Sequence, residues 1–104
     1  MSLASLVLTL LGDIDDPAVR NDISSTLYFL RDLYIDGRID EKRLFAEVKD
    51  IVKTVLSVTN PELLPDELEK KSTDFANQIV SAVKMETLRA RLLSKFKPRT
   101  EELF

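Results

Sequence analysis

Strong helix breakers are scarce in this chain, with two glycines (Gly12, Gly37) and four prolines (Pro17, Pro61, Pro65, Pro98) in 104 residues. They divide it into four unbroken segments, and each segment carries apolar residues at helical spacing. In the first, Leu3, Leu6, Val7, Leu10 and Leu11 form one face, with Ser2 as cap and Gly12 as stop. The second opens on Asp16-Pro17, an acceptor for free backbone N–H groups followed by a residue whose fixed φ suits the first helical position. Val19, Ile23, Leu27, Leu30 and Tyr34 follow at steps of four, four, three and four, with Phe29 and Leu33 widening the stripe. Gly37 closes this helix, because it tolerates the left-handed conformation.

The third helix starts almost at once, with Asp40 as cap and Ile39 and Leu44 placed to pack on each other across it. Leu44, Val48, Ile51, Val55 and Val58 form its inner stripe, flanked by Phe45 and Val52, while Glu41, Lys42, Glu47, Lys49, Asp50 and Lys53 cover the outside. The β-branched run from Ile51 to Thr59 also suits a strand, but alternation would then put Lys53 on the face of Ile51. The helical reading keeps the charges out.

The fourth segment runs from Asp66 to Phe96 with no Gly or Pro to stop it. As one helix its 31 residues, 66 to 96, would span ~46 Å, against ~28 Å for the third. Its apolar phase also shifts, from Leu68, Phe75, Ala76, Ile79 and Val83 to Met85, Leu88, Leu92 and Phe96. Either it kinks near Ser81 to Glu86 or its second half packs on something different. The expected fold is all-α, a compact bundle of four helices with the first short and the fourth long. It forms one domain over 1–104, with 97–104 as a flexible tail.

The 44% hydrophobic and 32% charged content supports an ordered core. With no Cys there is neither a disulfide framework nor a thiolate for zinc, so a cytoplasmic location is the expectation. The apolar stretch Met1 to Gly12 lacks a basic leader and falls short of the ~20 residues of a spanning helix, so no signal peptide or transmembrane segment is expected. Absent His and Trp, one Gln and three Asn beside many charges match the composition of thermophile proteins.

Catalytic and metal chemistry find little to work with. Asp32, Asp36, Gly37, Ile39 and Asp40 coincide with EF-hand loop positions, but Tyr34 and Arg43 stand at positions three and twelve, where ligands belong. A glycine stop and an aspartate cap explain the same residues. Asp13, Asp15 and Asp16, with Asp22 nearby, make a dense acidic turn without a fixed geometry, and helix starts favour acidic residues in any case. There is no His, no phosphate-binding glycine loop and no nucleophile elbow. Glu86 alone projects from an apolar face, where a paired or solvent-edge carboxylate is the simpler reading. No catalytic residue, cofactor or metal site is expected.

Charge is distributed unevenly. Residues 1–83 hold nine Lys and Arg against fifteen Asp and Glu, whereas 84–99 hold Lys84, Arg89, Arg91, Lys95, Lys97 and Arg99 against Glu86 alone. Cations near a helix C-terminus complement its dipole. Beyond that, Lys84, Arg91 and Lys95 run beside Met85, Leu88 and Leu92, while Arg89 and Lys97 fall on the far side. A basic amphipathic helix of this kind seats on a partner helix or an acidic surface. The sequence therefore points to a non-enzymatic interaction or self-assembly module, contacting its partner through Met85, Leu88, Arg91, Leu92, Lys95 and Phe96. The expected partner is a second copy, as a homodimer, or an acidic protein. The alternative is a nucleic-acid-associated accessory protein using the same cations on phosphates, and an anionic membrane surface is a further candidate.

Overall fold

A computed structural model describes the backbone of residues 1–102 and the side chains of residues 1–96. Among the described residues the fold is all-helical, with no strand and four helices: α1 Leu3–Leu11, α2 Pro17–Ile35, α3 Glu41–Thr59 and α4 Pro65–Glu102. The expected tail over 97–104 concerns side chains outside the described part, and Leu103 and Phe104 lie wholly outside it.

Local chemistry sets the helix starts. Ser2 Oγ accepts from the Ser5 N–H, Asp16 Oδ1 from the Ala18 N–H and Asp40 Oδ1 from the Arg43 N–H, each satisfying a donor that the first turn leaves free. α4 begins within one residue of the expected start near Asp66. Pro65 is its first residue, and Glu67, two residues on, reaches back to accept from the Leu64 N–H at 3.2 Å.

The end of α2 is set by Gly37, whose φ of 75° lies in the left-handed region. The Gly37 N–H donates to Tyr34 O and the Arg38 N–H to Leu33 O, the paired bonds of a Schellman stop. Gly12, by contrast, keeps a right-handed φ of −59° and ends α1 without a left-handed turn.

Two tight links make α2, α3 and α4 run up, down and up. α3 packs along α4 over the greatest length, α2 lies against α3, and α1 rests on both α4 and α3. The register is antiparallel: Lys49 and Lys53 of α3 pair with Glu69 near the start of α4, and Glu41 at the start of α3 pairs with Lys84. The seam is built from Leu44, Val48, Val52 and Val55 facing Ser72, Ala76, Ile79 and Val83, all of them buried. α1 adds Leu3, Leu6, Val7, Leu10 and Leu11 to the same core, and α2 adds Leu27 and Leu30.

Several sequence assignments shift. The buried face of α3 is centred on Val48 and Val52, so Ile51 is only half-buried and Val58 is exposed. On α2, Val19 and Phe29 are exposed, the latter at 59%, although both fit the apolar stripe. α2 meets the bundle along a narrow line through Leu27 and Leu30, and residues on the margins of its stripe are left to solvent. The fourth helix is continuous through Ser81–Glu86, so its apolar phase changes within one unbroken helix.

Candidate interaction surface

α4 outruns its neighbours, and two ion pairs mark where they stop. Lys84 Nζ donates to Glu41 Oε1 at 2.7 Å, in the first turn of α3. This contact holds the Lys84 ammonium above its ordinary pKa, first through the hydrogen bond and then through the carboxylate's charge. Two residues on, Glu86 Oε2 accepts from Arg31 Nη1 of α2 at 3.4 Å, so the carboxylate that stood out in the sequence is paired. Among the described residues Thr87 is the last buried side chain, and its hydroxyl donates to Val83 O. From Leu88 to Phe96 every residue is exposed.

On this projecting helix the apolar side chains have changed sides. Taking ~100° per residue, Met85, Leu88, Leu92 and Phe96 lie roughly half a turn round from the line of Ala76, Val83 and Thr87. The line that faced α3 continues instead as Ala90 and Ser94, with no large apolar group. The projection is therefore not a core helix that has lost its cover on the same face. It carries an apolar stripe of its own, aimed elsewhere.

Of the six residues singled out from sequence, Met85 is 65% exposed, Leu92 is 51% exposed, and Leu88 and Phe96 are comparable. Arg91 and Lys95 are exposed on the same stretch. Met85, Leu88 and Leu92 line an open groove of ≈ 900 Å³ between α4 and the N-terminal end of α1, whose base includes Leu3, Leu6 and Ala82. Phe96, Arg91 and Lys95 are not among its lining residues. Arg89 is, so the cation assigned to the far side borders the apolar stripe.

Leu93, 61% exposed, completes the groove and was missed because it falls outside a strict three-four repeat. Its signal was simply a second leucine adjacent to Leu92. The contribution of α1 had no signal in the sequence, since Leu3 and Leu6 read as core and are core; only their upper edges reach the groove.

Elsewhere the described residues contain no group of three or more acidic, His or Cys side chains able to hold a metal ion. Asp16, Asp36 and Asp40 serve at helix ends, and Asp32 pairs with Arg31. No helix among the described residues is long and apolar enough to cross a membrane. The chain has no significant match to known family models, curated proteins or solved structures.

Proposed function

We propose that this protein is a non-enzymatic interaction or self-assembly module that contacts its partner through the projecting part of α4. One observation carries the reading: Met85, Leu88, Leu92, Leu93 and Phe96 are all at least half exposed, on the stretch of α4 that begins at its ion pairs with α3 and α2 and continues beyond them. Contiguous exposed apolar surface with a polar rim is characteristic of protein contact sites. Arg89, Arg91 and Lys95 supply such a rim here, one that favours an acidic partner surface.

The same three cations support contact with nucleic-acid phosphates. Against that second reading, large apolar side chains sit between them, the chain is acidic overall at −3, and among the described residues no aromatic platform stands beside Arg89 and Arg91 for stacking bases.

The test is the solution mass of the wild type and of Leu92→Asp, by light scattering, with circular dichroism as a check on the fold. The expected result is an oligomeric wild type and a monomeric variant of unchanged helicity, because a buried unpaired carboxylate disrupts an apolar contact by several kcal/mol. Equal masses and equal melting for the two proteins would remove the basis for the reading.

A further inference from the structure

The fold turns a charge gradient along the sequence into one along the molecule. α2 and α4 begin, and α3 finishes, at the same end, because the links at 36–40 and 60–64 reverse the chain twice. That end gathers the two short links carrying Asp13, Asp15, Asp16 and Glu62, together with Asp66 and Glu67 in the first turn of α4; all six are exposed. The cations closest in sequence are Arg20, Lys70 and Lys71. The basic projection leaves from the opposite end of a molecule 58 Å long.

The ion pairs sharpen this division. Glu41, Glu47, Glu86 and Asp32, away from the acidic end, are paired with Lys or Arg, as is Glu69 where α3 covers the start of α4. Among the described residues none of the six acidic groups at one end, and none of Arg89, Arg91 and Lys95 at the other, makes such a pair. Exposed apolar groups accompany both sets: Val19, Val58 and Leu64 at the acidic end, Leu88, Leu92 and Phe96 on the projection. Each end thus offers apolar surface with an excess of charge of one sign, six acidic groups against Arg20, Lys70 and Lys71 at one end and three cations at the other, and the two excesses are opposite.

We propose that copies of this chain associate head to tail, with the basic projection of one α4 seated on the acidic end of the next copy. The inference rests on the reading of the projection as a contact surface and names its occupant. A symmetric pairing of two projections is the less favourable arrangement. Two antiparallel α4 helices centred on Leu92 would set Arg89 of each opposite Lys95 of the other, like charge on like. A head-to-tail contact satisfies both sets of charges, and because it uses two different surfaces it leaves a free end on every assembly. The series stays open unless the rotation between copies happens to close it.

Sedimentation of the full chain over a range of concentrations and salt gives the first test. Mass is expected to climb past a dimer with concentration and to fall as salt screens the charges. Two triple variants give the second: Arg89→Glu with Arg91→Glu and Lys95→Glu, and Asp13→Lys with Asp15→Lys and Glu62→Lys. The latter spares the Asp16 cap and the Glu67 contact, and circular dichroism verifies that both fold. Each variant alone has two ends of the same sign and is expected to sediment as a monomer, whereas an equimolar mixture is expected to recover wild-type mass. An acidic-end variant that keeps wild-type mass on its own would overturn the head-to-tail contact. If Leu92→Asp still breaks that assembly, the projection remains the contact surface. A wild type that stays monomeric into the millimolar range overturns the head-to-tail contact outright.

Discussion

The two halves of α4 are both rich in apolar residues and have opposite fates. Residues 68–83 are held against α3 along a seam of small and β-branched groups, whereas 85–96 carry larger apolar side chains and leave them exposed. The seam uses Ser72, Ala76 and Val83 to bring two helices close over several turns. The projection spends Met, Leu and Phe on a face that the described residues leave at least half exposed. Side-chain size is therefore a poor guide to burial here, and the reach of the neighbouring helices decides it.

Substituting one leucine on each side of that boundary should produce the largest difference. Leu44 is fully buried in the seam, and Leu44→Ala is expected to cost ~3 kcal/mol of unfolding free energy through lost transfer energy and a residual cavity. Leu92→Ala, measured by urea denaturation at a dilution where the chain is monomeric, should stay within ~0.5 kcal/mol of wild type. A comparable loss at both sites would mean that α1 closes over the groove in solution.

A smaller effect is expected at the joint that fixes where the boundary falls. Gly37 ends α2 and, three residues later, Asp40 starts α3, so this turn determines how far along α4 the cover extends. A Cβ added at Gly37 would meet nothing within 4 Å, and the obstacle is therefore the backbone, held at a φ of 75°. Gly37→Val is expected to destabilise by ~1 kcal/mol or more, and Gly37→Asn by less, because Asn visits the left-handed region more readily. Equal melting temperatures for the wild type and the Val variant would show that the turn relaxes to another geometry.

What the sequence disclosed follows the same boundary. Caps and stops are written in single residues: Ser2, Asp16 and Asp40 hold the backbone donors expected of them, and Gly37 takes the expected conformation. The four helices and their order follow from these signals. The rotation of each helix about its axis was less legible. On α3 both Ile51 and Val52 are apolar, and only the presence of α4 on one side selects Val52 as central. On α4 the change of phase after Val83 was visible, but a kink and an uncovered projection produce the same pattern of letters. Whether Arg89 or Arg91 borders the groove depends on the placement of α1, which periodicity does not encode. Phe29 shows the limit most plainly, since its size argues for the core and its position on α2 leaves it outside.

The smallest effect concerns two hydroxyls that bracket the covered part of α4. Ser72 and Thr87 are both buried although both are polar. They differ in one respect. Thr87 Oγ1 donates to Val83 O at 2.9 Å, but Ser72 Oγ has no partner. A buried hydroxyl without a hydrogen bond costs about 1–3 kcal/mol of desolvation, part of which the small size of serine repays by letting α3 approach. Alanine keeps that size, removes the unsatisfied group and favours the helix by a few tenths of a kcal/mol. Ser72→Ala is accordingly expected to raise stability by ~1 kcal/mol, while Thr87→Val, which conserves shape but deletes a satisfied hydroxyl, should be neutral or slightly destabilising. Thermal melts of the two variants beside the wild type decide the matter. A Ser72→Ala protein that melts lower would mean that an ordered water reaches the hydroxyl, and the seam would then be wetter than its apolar neighbours imply.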